Sequence, residues 1–454
     1  MAAATLTEGP VGRRLAVFTL PLLASNVLQQ LYHAADAVIV GRVAGGDSLA
    51  AVGASNPILT FLIAIMVGLG AGSEIMIAAK IGKGEEDGAR VTLDSMLTAI
   101  LAIAVVTTVI GFFGSGFLMR LIGTPEDILD QSVLYLQYYF LGMVGVAGYN
   151  TLSGLIRSSG NAVVPLVLLL ISAAMNIGLD ILFVWGFQMG VKGAAIATVA
   201  SQTFVFVCCL FYINFKKGMI RYNPFRLKIR KSAIREGFAC GIPCSVQQCA
   251  NSIGMIVLQI AVNSLGTQVI TAYTVGSKID SFAGLPIMGI GQALCIFTSQ
   301  NLGAGKTERV KKAKRLSLLW AYGFSLFLVL LFWSAGGAIA GIFCEEPEVV
   351  KMAGDYIRIL SLAYFFASYW VVVHGFIRGT QDTMAPMVIT LIGNWGARLP
   401  LAYLLKGFLG ELGVWLSIPC GWALAFLLTW LYVRSRYFHK KLERRFHEEE
   451  GGWI

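Results

Sequence analysis

Two carboxylates stand in stretches of this sequence that are otherwise apolar enough to lie in a bilayer. Asn176 and Asp180 are four residues apart in PLVLLLISAAMNIGLDILFVWGF (165–187), and this spacing puts both on one face of a helix. Asp36 ends a polar face in the first apolar run, and Thr198 lies in the run that follows Asp180. Ionisable residues at membrane depth cost about 2.5–3.5 kcal/mol on insertion scales, so their presence favours a function.

These four side chains are predicted to converge as a cation site in the first half of the chain. Their oxygens suit a hard ion such as Na⁺, and desolvation favours a protonated carboxylate, so a proton could be bound instead. The alternative is structural, with each buried Asp hydrogen-bonded to neighbouring helices. The second half carries apolar residues at the matching positions, which are Leu258, Ala397, Leu401 and Ile418.

A second group of polar and aromatic residues is predicted to line a cavity for an organic molecule. In the first apolar run, polar side chains recur every three or four residues, and such a face has to meet protein or water. The stretch YFFASYWVVVHGFIRG (364–379) offers rings that attract organic cations, although close packing of these rings is the alternative interpretation. The candidate cavity residues are Asn26, Gln29, His33, Gln248, Asn251, Trp370 and His374.

For several other charged residues in or near apolar runs, the sequence leaves a transport role open. Lys278 and Asp280 are too close in sequence to share a helix face, so no ion pair is predicted between them. Arg398 has no identified partner. Glu74 and Asp94 lie near predicted helix ends and are interpreted as interfacial.

The elements that must position these residues are membrane helices. Of the 454 residues, 56% are hydrophobic and 13% are charged, whereas about a quarter of the residues in a soluble protein are charged. The apolar runs are continuous and long enough to cross about 30 Å of hydrocarbon as helices. We therefore predict an all-α integral membrane protein with twelve spans, near 15–40, 48–79, 91–118, 135–156, 162–186, 190–213, 237–264, 270–301, 316–342, 356–377, 386–405 and 409–433.

The net charge of +10 is explained by basic residues concentrated on one side of the predicted membrane helices, so it does not indicate nucleic-acid binding. With the N-terminus placed inside, 27 of the 35 basic residues fall in inner segments and six in outer segments. This asymmetry is the positive-inside rule. It predicts a multi-pass protein of the cell membrane with both termini in the cytoplasm.

The two halves of the sequence repeat each other at a shift of 220 to 222 residues. Pro21 matches Pro243, MVGLG (66–70) matches IMGIG (287–291), and GVKGAAIA (190–197) matches GELGVWLS (410–417). Each half has an even number of spans, so the predicted fold is two parallel six-helix repeats related by a pseudo-twofold axis along the membrane normal. Pro21 and Pro243 are the candidate hinges or kinks, with simple packing as the alternative.

This organisation predicts an N-lobe over residues 1–214 and a C-lobe over residues 237–433. A basic cytoplasmic linker over 215–236 joins the lobes, and a charged cytoplasmic tail covers 434–454. Rocking of two such lobes exposes the space between them alternately to each side of the membrane. The architecture is typical of proteins that move solutes.

Five stretches resemble the multidrug and toxic compound extrusion (MATE) transporters of bacteria. They are HAADAVIVGRVAGGDSLAAVGAS (33–55), GLIRSSGNAVVP (154–165), MNIGLDILFVWGFQMGVKGAAIATVASQ (175–202), and ITAYTVGSKIDSF with SQNLGAGK (270–306). The resemblance implies antiport of organic cations or drugs against Na⁺ or H⁺. It also implies that Asp36, Asn176, Asp180 and Thr198 hold the coupling cation. Family members with a C-lobe site carry acids where this chain has Gln247, Gln248 and His374, which argues against a second site.

Other classes of function remain as alternatives or are set aside. A flippase for lipids or lipid-linked precursors on a similar scaffold is the closest alternative, and an ion channel is the alternative of another class. We find no paired catalytic motif, so no enzyme activity is expected. NLGAGKT (301–307) lacks the first Gly of a phosphate-binding loop and follows a membrane helix, so no nucleotide is expected. We expect no cofactor beyond the coupling ion, membrane lipids as surroundings, and a functional monomer.

Overall fold

The protein is helical throughout the part of the chain that its computed structural model describes. That part comprises residues 6–39, 41, 46–216, 220–223 and 226–446, with side-chain positions for all of these except 33, 36, 37, 47, 49 and 444–446. The helices are α1 (Val11–Ile39), α2 (Gly46–Gly82), α3 (Glu86–Leu121), α4 (Glu126–Leu141), α5 (Met143–Ser158), α6 (Val163–Asp180), α7 (Gly190–Phe215), α8 (Lys231–Asn263), α9 (Thr267–Gly303), α10 (Thr307–Gly341), α11 (Pro347–Gly379), α12 (Met384–Leu391), α13 (Leu399–Leu409), α14 (Glu411–Arg434) and α15 (Arg436–Phe446). The predicted all-α fold is confirmed.

Eleven helical segments of the described chain are long and apolar enough to cross a membrane, and the pair α4 and α5, bent by 48°, makes twelve if it crosses as one span. The predicted span 135–156 was wrong at its start, because α4 already begins at Glu126. The acidic residues in the first turn of α4 lower the local hydropathy, so the start of this helix was not recognised from the sequence. The bend falls at Gly142, where a Cβ atom would collide with the side chain of Val199.

Within the described residues, two of the predicted spans contain a complete π-helical stretch instead of continuous α-helix. The stretch Ile181–Gly186 directly follows Asp180, and Ile392–Arg398 joins α12 to α13 in the second half. A π-helical turn widens the helix and re-aims the side chains on either side of it, and such turns are frequent at functional sites. Sequence periodicity did not reveal either stretch.

The chain folds into two compact units. One unit holds Leu20–Gln248, and the other holds Leu6–Thr19 together with the chain from Cys249 onward. The division therefore crosses α1 beside Pro21 and crosses α8 five residues after Pro243. Since proline lacks the N–H that would bond to the carbonyl four residues earlier, each helix lacks one backbone hydrogen bond near its crossing. A hinge role for both prolines stays a prediction.

Each unit is held by a close approach of helices at a matching glycine. In the first unit, Gly70 of α2 lies against the backbone of Asn150 in α5. In the second unit, Gly291 of α9 lies against Val371 of α11, and a Cβ there would sit 3.0 Å from the Val371 carbonyl oxygen. Both glycines act as packing residues, which agrees with the small-residue interfaces of membrane helices.

The segment before α8 and the helix after α14 both dock onto the unit that contains them. Lys228 N–H donates to Asp94 Oδ2 at 3.1 Å, and Arg230 N–H donates to Ser95 Oγ at 3.0 Å. In the other unit, α15 buries Phe438 and Leu442, both 1% exposed. Part of the linker and part of the tail thus have defined positions.

Candidate cation site

A tight connection between α6 and α7 brings the sequence-predicted oxygens of the first half together. Asn176 and Asp180 lie one turn apart at the end of α6, and Thr198 lies in the third turn of α7. Between them, Gln188 and Gly190 have φ angles of 53° and 56°. Gly193 allows the returning helix to come close, since a Cβ there would lie 3.0 Å from the Phe183 carbonyl carbon.

Asn176 connects the other two residues. With its amide oriented so that both ends are satisfied, Nδ2 donates to Asp180 Oδ2 at 3.0 Å and Oδ1 accepts from the Thr198 N–H at 3.2 Å. The Thr198 hydroxyl oxygen lies 3.3 Å from the same amide. An N–H donated to a carboxylate restricts the orientation of that carboxylate, so Asn176 positions Asp180.

The site is enclosed by protein. Asn176 and Asp180 are fully buried and Thr198 is 8% exposed. At such burial a carboxylate is costly unless hydrogen bonds or a cation compensate it. The donor set of a carboxylate and a hydroxyl fits a hard cation or a proton.

The second unit has no such arrangement at the matching positions. Ile418 is 1% exposed in α14, and Ala397 and Leu401 are likewise apolar. The asymmetry that the sequence comparison indicated is therefore present in the packed units.

Asp36 and His33 lie in α1, but their side chains fall outside the described part of the structure. The helix backbone is described through Ile39. A contribution of Asp36 to the cation site, and of His33 to a cavity, stays a prediction.

The other cavity candidates have different surroundings. Gln29 and Gln248 are exposed, and Asn26 and Trp370 are partly exposed. Asn251 accepts a hydrogen bond from Asn394 at 2.7 Å.

His374 lies away from any surface of the second unit. Its ring is fully buried, with Nε2 3.0 Å from the Thr429 hydroxyl and Trp370 packed edge-on at 5.2 Å. The alternative interpretation of close aromatic packing therefore describes His374 in this conformation.

Glu74 and Asp94 are buried among protein side chains, and their position at the level of the membrane interface stays a prediction. Glu74 accepts two hydrogen bonds of 2.8 Å from Arg157, one from Nε and one from Nη2. Asp94 is 0% exposed and accepts from the linker. The sequence put Arg157 and Glu74 near the same end of one lobe, which is the only signal that could have paired them.

Asp280 and Arg398 form a separate charged group in the second unit. The Tyr364 hydroxyl donates to Asp280, and Arg398 lies within electrostatic range of that carboxylate.

Among the described residues Lys278 and Asp280 form no ion pair. In the same described part, no three His, Cys, Asp or Glu side chains converge as a metal site.

Duplicated bundles of apolar helices, with polar groups buried inside them, are typical of membrane transporters. A model of the MatE family matches the chain twice, at residues 21–182 and 243–404. The chain therefore belongs to the MatE family of multidrug and toxic compound extrusion transporters. The two matches are offset by 222 residues, which confirms the internal repeat.

Individual relatives agree with this assignment. The probable multidrug resistance protein YoeA of Bacillus subtilis is 29% identical over 96% of both chains. The FAD transporter of Shewanella oneidensis is 25% identical, over 91% of this chain and 92% of that one. A solved structure described as MATE in the bent conformation matches with a TM-score of 0.90 over 98% of both chains at 21% identity, which confirms the two-lobe fold.

Proposed function

We propose that this transporter is an antiporter that exports organic cations, drugs or other toxic compounds in exchange for Na⁺ or H⁺. The observation that carries the proposal is the buried group of Asp180, Asn176 and Thr198, which has no polar counterpart in the second unit. A carboxylate enclosed in one of two duplicated units provides a charge that an ion can cancel.

Each side chain of the candidate cation site has a separate role in this exchange. Asp180, together with Asp36, supplies the negative charge, Asn176 holds the Asp180 carboxylate, and the Thr198 hydroxyl adds a neutral oxygen. Entry of the ion neutralises the carboxylates and removes the cost of keeping them charged in a buried site. The packing of α1 near Pro21 then changes, and the lobe loses affinity for a cationic drug. Each charge that crosses the membrane contributes about 2.3 kcal/mol per 100 mV.

We place the protein in the cell membrane with both termini in the cytoplasm, supported by the distribution of basic residues. The names of its relatives include multidrug resistance proteins and a FAD transporter, so the family scaffold is not restricted to one kind of solute.

Reconstituted vesicles provide the test. The purified protein is placed in proteoliposomes, and movement of the cationic dye ethidium is followed under an imposed Na⁺ gradient or an imposed pH gradient. We expect one gradient to drive the dye, and Asp180→Asn to abolish this coupling because the amide keeps the shape but loses the charge.

Asp130→Asn makes the same chemical change at an exposed residue of α4 and serves as the matched control. Gradient-driven dye movement that survives in Asp180→Asn would contradict the proposal. A large ion current without saturable exchange would favour a channel, and movement of lipid probes alone would favour a flippase.

A further inference from the structure

A stripe of polar side chains runs along the N-terminal half of α9. Its members are four, three, four and three residues apart, a spacing that keeps them on one helical face. They are Thr267, Thr271, Thr274, Lys278 and Ser281. Thr271 is partly exposed and the others are exposed, and the stripe stops where Leu285, on the same face, is buried.

The polarity of this stripe indicates what it faces. The segment Thr267–Gly303 is long and apolar enough to cross the membrane. Charged side chains within such a segment face protein or water-filled space because lipid contact is costly. We therefore infer that this face of α9 borders water.

Three of the four hydroxyl groups of the stripe use their protons within α9, and the first of these, Thr271, donates to the Thr267 carbonyl at 2.9 Å. Thr274 donates to the Ile270 carbonyl at 2.8 Å, and Ser281 donates to the Ser277 carbonyl at 2.8 Å. What they present outward is oxygen lone pairs, which are acceptors. The Lys278 ammonium is then the group of the stripe that offers hydrogen-bond donors and positive charge.

Lys278 has no charge partner within the described residues. Its neighbour Asp280 lies on another face of α9, where the Tyr364 hydroxyl donates to it and the Arg398 charge acts on it. Arg398 makes no hydrogen bond in the described part of the chain, and its Nε is buried. The groups that act on Asp280 are thus Tyr364 and Arg398, and Lys278 is an exposed cation without an ion-pair partner among the described residues.

The first half of the chain has no equivalent of this lysine. At the shift of 221 residues, Lys278 matches Pro57, and Asp280 matches Leu59. An exposed ammonium on this face of α9 would suit a molecule that carries an acidic group.

We propose that Lys278 binds an acidic group, a carboxylate or phosphate, on the exported molecule. The substrates are then amphoteric compounds that carry an acid beside their cationic or aromatic part, and the acceptor oxygens of Thr274 and Ser281 bind neighbouring donor groups. This inference deepens the proposed export function and rests on it.

Two dyes that differ in one group test the assignment. Rhodamine 110 carries a free carboxylate, and rhodamine 123 is its methyl ester. Binding of each dye to the purified protein in detergent is measured by fluorescence anisotropy at constant ionic strength. We expect tighter binding of rhodamine 110, and a loss of about tenfold or more for this dye alone in Lys278→Met, as for a charge-assisted hydrogen bond.

Lys278→Arg keeps the charge and should retain the preference for the acid dye. Lys351→Met removes an exposed lysine at the start of α11 and should leave both affinities unchanged. Rhodamine 123 binding reports that the variants are folded.

The inference is overturned if Lys278→Met weakens the binding of both dyes equally. It is also overturned if rhodamine 110 does not bind the native protein. Because binding needs no ion gradient, this outcome is separate from a failure of ion-coupled exchange in vesicles.

Discussion

Arg157 and Glu74 form an ion pair with two hydrogen bonds in the first unit, in which Glu74 is buried and the Arg157 side chain is 26% exposed. The two parallel hydrogen bonds hold both groups in a fixed plane, and the Ser158 hydroxyl also donates to the Glu74 carbonyl at 2.8 Å. In the second half, Cys295 stands where Glu74 has its counterpart, and the matching Arg378 donates only to the His374 carbonyl. The pair is therefore specific to the unit that carries the candidate cation site.

We expect Arg157→Met to destabilise the protein by about 3 kcal/mol, because it leaves the Glu74 carboxylate buried without a partner. The double variant with Glu74→Gln should recover much of this loss, since no uncompensated charge remains. The measurement is thermal unfolding in detergent for both single variants and the double variant. Glu308→Gln, which breaks an exposed pair with Lys311, should change stability by less than about 1 kcal/mol.

A double variant that is no more stable than its single variants would show that the pair contributes by some means other than charge compensation.

Among individual residues, the sequence revealed polar side chains that stand in otherwise apolar runs. Asp180 stands out because a carboxylate within an apolar run has few explanations, and Asn176 follows from the helical spacing. Partners that lie far along the chain, such as Arg157 for Glu74 or Tyr364 for Asp280, depend on how helices pack and have no local signal.

At the scale of elements, α15 shows how a charged tail becomes part of a folded unit. Phe438 packs against the rings of Phe376 and Tyr432, with centroid distances of 6.0 and 5.3 Å. Lys441 pairs with Asp382 at 2.9 Å, and the Tyr432 hydroxyl also donates to Asp382. One apolar face and one acidic anchor thus fix the helix.

Phe438→Ala should cost about 3–5 kcal/mol at this contact, because a fully buried aromatic ring is removed and a cavity is left. The expected result is faster hydrogen exchange in α15 and a lower unfolding temperature. Tyr437→Ala removes the neighbouring ring, which is 66% exposed, and should have a much smaller effect. Equal effects of the two variants would mean that α15 does not dock through Phe438.

Helices with a uniform apolar character were predictable, and those with mixed character were not. The span 162–186 corresponds to α6 and its π-helical end, and 190–213 corresponds to α7. The start of α4 was missed because Glu126, Asp127 and Asp130 lower its hydropathy. The tail helix α15 was missed because only Phe438 and Leu442 mark its buried face, too short a pattern against its basic residues.

At the scale of the whole molecule, the duplicated sequence encodes two units with one scaffold and different charges. The family model matches both halves at a constant offset, so the scaffold residues are shared. The buried carboxylate site belongs to the first unit, whereas the second unit carries Lys278 and the Asp280–Arg398 group. An ion that binds in one unit therefore changes the charge of that unit alone.

This asymmetry predicts that the coupling ion stabilises the folded protein through Asp180. A ligand present at 100 times its dissociation constant stabilises the state that binds it by about 2.7 kcal/mol. The unfolding temperature in detergent should rise with Na⁺ concentration at constant ionic strength if Na⁺ is the ion. If the proton is the ion, the native protein should gain stability relative to Asp180→Asn as the pH is lowered.

Replacing Na⁺ by K⁺ is the control for ionic strength, and Asp130→Asn is the control for the substitution. Ion binding at this carboxylate is contradicted if the unfolding temperatures of the native protein and of Asp180→Asn change equally with Na⁺ concentration and with pH. An ion that binds the folded state has to raise the stability of that state.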